Sequence, residues 1–263
     1  MLAEIFEYWT TPAAPWARKL GYLSEAIAIK ARHRRCAVPW AEHLARSKAA
    51  ITAIVEETGG GNTVVVLGAG SCFDVPIEIL CERFDQVHLV DAVHLRLPAL
   101  SRHPKVERIV RDVSGVAELL VTCPSRLADP PDLDWLLGDA AIDLVVSLNL
   151  ASQLSVMPLA YVEKRRSVDE KSANLFHKNM MAQHFNWLQR FHCPALVLCD
   201  ASRTIRDKSG SVIAVEPLLD AMTFDGPVWQ GLVEKWIWPV APPKERSDGL
   251  SIENEVHVYR NRR

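Results

Sequence analysis

Two periods of apolar residues divide this chain. Residues 1–57 read as helix: Leu44, Ile51, Ile54 and Val55 recur at helical spacing in the last segment, and Pro12, Pro15 and Pro39 punctuate what precedes it. Gly59, Gly60, Gly61 and Asn62 stop that helix. From Thr63 onward the pattern changes to short, continuous β-branched runs of the kind that strands buried on both faces require. Such runs predict strands at 63–67, 87–90, 106–110, 142–148 and 195–199. Between the first two, Asp74 is placed to cap a helix, Pro76 suits its first turn, and Ile77, Ile79, Leu80 and Phe84 fall at helical spacing. Ser114 can cap a further helix over 116–121, and a third over 170–191 carries Phe176, Met180, Trp187 and Phe191 down one side. Beyond the fifth strand a hairpin is predicted from 204–206 and 211–214 around Asp207, Lys208, Ser209 and Gly210. Two long alternating strands follow at 232–238 and 255–259. Strand and helix in alternation describe a doubly wound α/β fold. The expected organisation is an N-terminal helical extension over 1–59 and an α/β domain over 60–263.

The first strand runs straight into Gly68, Ala69 and Gly70, and the second ends in Asp91. A dinucleotide site wants a third glycine where the helix begins, so that pyrophosphate can sit on the helix N-terminus. Phe73 stands there instead, and its ring crowds a diphosphate. A cofactor without phosphates needs only Gly68 and Gly70 for close backbone approach, and Asp91 has the lone pairs to accept two ribose hydroxyls. In these residues the sequence resembles the class I S-adenosylmethionine-dependent methyltransferases. The resemblance covers roughly 60–263 and implies a mostly parallel seven-stranded sheet ending in an antiparallel hairpin, with S-adenosylmethionine as cofactor. Cofactor contacts are then expected at Gly68, Ala69, Gly70, Asp91, Ala92, Asp112, Val113 and Asn149. Asp112, just past the third strand, is the adenine candidate, although it can equally cap the helix that follows. Such families often place an N-terminal extension over the substrate; a packing cap on the sheet is the alternative, and Tyr8, Trp9, Trp16 and Trp40 suit a pocket or a core.

Asn149 follows the fourth strand, at the edge where ligands of open α/β sheets bind, and is the first candidate for the reaction centre; a turn residue bonding its own backbone is the other reading. Gln153, and Tyr161 in an expected loop, are weaker substrate candidates. Arg165 and Arg166 can pair with an anionic substrate or stay solvated. His177 and His184 are separated by a rise of roughly 10.5 Å along their helix, too far to share a metal, and no metal site is expected. Tyr161, His177 or His184 can serve as a base, with His184 preferred, and the competing role for either histidine is a hydrogen-bonded place on an apolar face. The run Asp129, Pro130, Pro131, Asp132 is similar to the Asp-Pro-Pro-aromatic motif of amino-group methyltransferases, but it precedes the fourth strand and ends in Asp, so it reads as a decoy.

At 263 residues, 49% hydrophobic and 24% charged, the chain can bury a substantial core. Its net charge of -2 points to no polyanionic partner, yet 18–48 holds eight Lys/Arg against two Glu. The six cysteines include no paired spacing that suggests zinc, and reduced thiols are expected. The N-terminus reads neither as a signal peptide nor as an anchor, which makes cytoplasm the expected location. The reading that results is a methyltransferase acting on a small-molecule acceptor by O- or N-methylation. An RNA methyltransferase using 18–48 as its phosphate-binding face, a methyltransferase-like binding protein without activity and, last, a nicotinamide enzyme stand as alternatives.

Overall fold

The computed structural model describes residues 2–97, 100, 103–123, 127, 129–219, 228–261 and 263. Four helices open the chain: α1 (Leu2–Thr10), α2 (Pro15–Leu20), α3 (Tyr22–Arg35) and α4 (Ala37–Thr58). Pro15 sits at the start of α2 and Pro39 in the first turn of α4, where a missing N–H costs nothing. Gly59 closes α4 in the left-handed conformation, its N–H bonded to the Val55 carbonyl.

The α/β part then runs β1 (Gly61–Leu67), α5 (Ile77–Arg83), β2 (Phe84–Asp91), β3 (Val106–Val110), α6 (Ala117–Thr122), β4 (Ile142–Leu148), α7 (Val156–Glu163), α8 (Glu170–Leu188), β5 (Ala195–Arg206), β6 (Val212–Pro217), β7 (Trp229–Ala241) and β8 (Ser251–Asn261). Strand order across the sheet is β3-β2-β1-β4-β5-β8-β7, parallel as far as β5 and antiparallel for β8 and β7. Alternate residues of the central strands enter opposite layers. Val65, Leu67, Val145 and Val197 pack with Trp16, Leu20 and Leu23 of the N-terminal helices and with Phe176, Phe185 and Leu188 of α8. Val64, Val66, Leu144 and Val146 pack with Ile51, Ile54 and Val55 of α4 and with Ile77 and Leu80 of α5. Both faces are thus covered, which is why these strands read as unbroken apolar runs.

Several boundaries differ from expectation. Asp74 does not cap α5; that helix begins at Ile77 behind Pro76, and the Asp74 side chain turns inward. Phe84 belongs to β2 rather than to the helix, buried with Val87 and Leu89. Helix α6 is capped by Asp112, whose carboxylate accepts from Ala117 N at 2.7 Å, with Ser114 folded under it. Residues 156–163 form α7 instead of a loop, with Pro158 in the first turn and Tyr161 and Val162 buried.

An eighth strand joins the expected seven. At 12 residues β5 outruns β4, which pairs only with Ala195–Leu198. Because β8 holds the other edge along its length, the edge that β4 leaves free is taken by β6, paired from Ser202 to Arg206. Unpaired backbone would otherwise be exposed there.

A register shift falls between Asp200 and Ser202, and it directs Asp200 inward. Burial pushes its carboxyl up to about 6, against hydrogen bonding from Asn254 and the charge of Arg203. Gln153 Nε2 donates to it at 3.4 Å. A carboxyl raised in the folded state costs stability wherever it is ionised, so the cost is full above pH 6, shrinks as pH falls, and vanishes near the ordinary value of 3.8. Asp200→Asn is therefore expected to raise folding stability by about 1–3 kcal/mol at neutral pH. The gain should disappear near pH 4, as followed by denaturant titration at several pH values; a gain independent of pH would show that ionisation is not its cause.

Candidate cofactor and substrate site

A cavity of about 560 Å³ opens at the carboxyl ends of β1, β2 and β4 and is roofed by α3 and α4. Its floor begins at the glycine turn. Gly68 N and Ala69 N both donate to the Val90 carbonyl, at 2.9 and 3.2 Å, which ties the turn to β2. Gly68 has φ +78°, and a Cβ there would lie 2.7 Å from the Leu148 carbonyl oxygen. Close approach of β1 to β4 thus leaves no room for a side chain.

Gly70 N donates to Asp91 Oδ2 at 2.8 Å and Val93 N to Oδ1 at 3.3 Å. Burial raises the Asp91 pKa, and the neighbouring His94 and these amides oppose it. Each carboxylate oxygen keeps a lone pair for a ligand hydroxyl. Across the cavity, Asp112 accepts from Ser114 N at 2.9 Å and from Ala117 N. Its carboxylate is the helix cap, while Asp112 and Val113 together also line the cavity. Tyr22 completes this end: burial raises its phenol's pKa, and the charges of Asp112 and Asp91 raise it further, so the hydroxyl stays protonated beside two carboxylates.

Asn149 ends β4 with φ +49°, a conformation a non-glycine residue adopts at some cost. Its N–H donates to the Leu198 carbonyl at 2.8 Å. Its Nδ2 donates to Asp74 Oδ2 at 3.0 Å and lies 3.5 Å from His43 Nε2, while Oδ1 is buried without a partner. Asp74 is half-buried in the cavity wall, and burial pushes its carboxyl up to about 6. His43 Nδ1 accepts from Trp236 Nε1 at 3.1 Å. The neutral ring therefore carries its proton on Nε2, and burial pushes its pKa down to about 3. His43 is a fixed donor, unsuited to accept a proton.

Gly68, Ala69, Gly70, Asp91, Ala92, Asp112, Val113, Asn149 and Gln153 all line this one cavity. The candidate bases do not. Tyr161 is buried in the layer under the sheet with the Arg165 guanidinium 3.6 Å from its ring, so neither faces a ligand. His184 is enclosed in the same layer, bonded to Ser147 Oγ at 2.8 Å, and burial pushes its pKa down to about 3. His177 pairs with Ser155 Oγ at 2.7 Å and the Leu218 carbonyl at 3.1 Å. Such residues have packing roles, as histidines on apolar helix faces commonly do. Asp129, Pro130, Pro131 and Asp132 lie against α8, where Gln183 Nε2 donates to the Pro131 carbonyl and Arg190 pairs with Asp132. They line no part of the cavity.

Sequence reasoning passed over Tyr22, His43 and Asp74 as site residues. His43 has a detectable signal, since Trp40, His43 and Leu44 share one helix face and all three reach the cavity. Of the other early aromatics, Trp16 is core, Trp9 is exposed, and Tyr8 is partly buried against the core.

No family model matches the sequence, and no curated protein matches it. Among solved structures, the chain is similar to 1,6-didemethyltoxoflavin-N1-methyltransferase of Burkholderia thailandensis, solved with 1,6-didemethyltoxoflavin and S-adenosylhomocysteine, at 16% identity over 95% of this chain and 93% of that one, TM-score 0.43. It is also similar to the glycopeptide N-methyltransferase MtfA, solved with S-adenosylmethionine, at 12% identity over 80% and 86%, TM-score 0.31. A third is the 23S rRNA methyltransferase ErmE, at 14% identity over 81% and 67%, TM-score 0.31. At these identities nothing of the neighbours' chemistry transfers to this chain.

Gly68→Ala is expected to lower folding stability by about 1–3 kcal/mol through its strained φ and the Leu148 carbonyl. Gly138→Ala, with nothing within 4 Å of the added Cβ, should leave stability nearly unchanged. Equal effects in thermal melts would remove the steric account of the turn.

Proposed function

We propose that this chain is an S-adenosylmethionine-dependent methyltransferase acting on a small-molecule acceptor. The observation that carries the reading is the form of the glycine turn. Gly68, Gly70 and an Asp91 with free lone pairs suit a nucleoside, whereas Phe73 lines the cavity beyond them and α5 begins only at Ile77, behind Pro76. A diphosphate would need amides of a helix N-terminus at the turn; here they lie farther along the chain. At Gly70 an added Cβ would have its nearest neighbours 3.9 Å away, so the backbone of the turn lies open toward the cavity there. When bound, S-adenosylmethionine supplies an electrophilic methyl group. The chain's own part is to hold the sugar at Asp91, shape the adenine end with Asp112, Val113 and Tyr22, and keep the acceptor aligned and dry.

Charge pairing disfavours the RNA alternative. Of the basic residues in 18–48, Lys30 pairs with Glu7, Arg32 and Arg35 with Glu245, and Arg46 with Glu42 and Glu234. Arg18 donates to the Tyr8 and Thr11 carbonyls. These pairs reduce the charge available to displace counterions from a phosphate backbone, although Lys19, Arg34 and Lys48 make no ion pair among the described residues, and RNA affinity should be modest. Tight binding of RNA that falls steeply with salt would reverse this preference. No helix among the described residues is long and apolar enough to cross a membrane.

Calorimetric titration with S-adenosylmethionine, S-adenosylhomocysteine and NAD tests the cofactor. The first two should bind and NAD should not, and Asp91→Ala should weaken the first two by about 1.5–3 kcal/mol, the range for hydrogen bonds to a charged group. Unchanged affinity in that variant would take Asp91 out of the ribose role, and tight NAD binding would refute the reading as a whole.

A further inference from the structure

The end of the cavity away from Asp91 is built as a ring of contacts that closes on itself. Phe73 stacks on His33, centroids 3.7 Å apart, and His33 lies 6.0 Å from Trp40. Trp40 meets Trp238 edge-on at 5.2 Å, and Trp238 stacks on His43 at 4.0 Å. His43 faces the Asn149 amide, Asn149 bonds Asp74, and Asp74 is the chain neighbour of Phe73. All but His33 line the cavity.

This ring has aromatic walls and one carboxylate. Among the described residues Asp74 has no ion pair. The groups acting on it at close range are Asn149 and Cys72 of the glycine turn, whose thiol burial pushes up to about 12; His43, neutral and fixed as a donor, lies on the far side of the Asn149 amide. Lys48 of α4, itself exposed, reaches Asp74 only through its field. The basic residues of the cavity wall are already engaged: Arg32 with Glu245, Arg203 with Glu216, Arg246 with Asp248, and Arg111 over the Trp135 ring. A half-buried carboxylate without a counter-ion is costly, and π-faces attract cations.

From this geometry we infer that the Asp74 end of the cavity binds a cationic nitrogen, so that the acceptor is a molecule carrying an ammonium group that this end holds rather than methylates, an ammonium having no lone pair to take a methyl group. The inference rests on the methyltransferase reading for the word acceptor, but not for the binding of the cation. The ammonium sits among Phe73, Trp40 and Trp238 and pairs with Asp74, and Asn149 holds the carboxylate in position. Asp74 is thus a binding residue rather than a helix cap.

Choline and 3,3-dimethylbutan-1-ol share a shape and differ by the charge. Titrated at about pH 7.5 into protein saturated with S-adenosylhomocysteine, choline should bind at least about 10-fold more tightly, since the carboxylate is then ionised and the rings favour the cation. That preference should fall to within about 2-fold in Asp74→Asn and shrink in Trp238→Leu, both compared at matched secondary structure by circular dichroism. Equal affinity for the two probes, binding of neither up to about 10 mM, or an unchanged preference in Asp74→Asn each overturns the inference. A prior titration with S-adenosylhomocysteine alone separates the two readings. Its failure with the wild-type protein removes the proposed function, and the choline comparison is then made on the free protein under the same criterion. A 10-fold loss of S-adenosylhomocysteine affinity in Asp74→Asn with the choline preference intact would assign the carboxylate to the amino group of the cofactor and overturn the proposal.

Discussion

The cavity exists because the two central strands part at their carboxyl ends. β1 and β4 are in register through Leu67 and Ser147, and one residue later the Gly68 position stands against the Leu148 carbonyl with no space for a Cβ. Beyond that contact the chain turns opposite ways: from β1 toward β2, from β4 toward α7 and β5. A crevice between diverging connections follows from strand order alone, and in open α/β sheets it is where ligands are bound. Gly68, Gly70 and Asn149 all take positive φ at this divergence, so backbone conformation here answers to the crevice rather than to local preference.

The sheet was legible because strands covered on both faces must be apolar throughout, and the runs at Val64, Val87, Leu144 and Leu196 have few other interpretations. The location of the cavity was legible for the same reason, through Gly68, Asp91 and Asn149 at strand ends. Its far wall was not. Asp74 has the sequence context of a helix cap, and only the contact with Asn149, far along the chain, turns it inward. His43 shares a helix face with Trp40 and Leu44 in the sequence, but its role as a fixed donor is set only by Trp236 and Trp238 from the other end of the protein. His184 and Tyr161 erred in the opposite direction: chemically suited side chains that helix packing directs into the core, where burial rather than reactivity fixes their state.

The N-terminal helices and the terminal strands behave as one cover over the crevice. Trp40 Nε1 donates to the Pro239 carbonyl at 3.1 Å, Arg35 pairs with Glu245, and Arg46 with Glu234. Exposed ion pairs of this kind contribute little singly, about 0–1 kcal/mol each. They answer part of the basic stretch from other elements: Arg32 and Arg35 from the loop after β7, Arg46 from β7 and Lys30 from α1.

This cover has a consequence for synthesis. The Asp91 end of the crevice is made of Tyr22, Gly68, Asp91 and Asp112, all present once the first half of the chain has left the ribosome. The aromatic end is not, because Trp238 lies on β7, and among the described residues β7 joins the sheet only through β8, which comes later in the chain. Insertion of β8 between two earlier strands is a long-range pairing of the slow kind. A chain interrupted before β8 would thus possess half a pocket, and the two halves would meet only once β8 has been inserted.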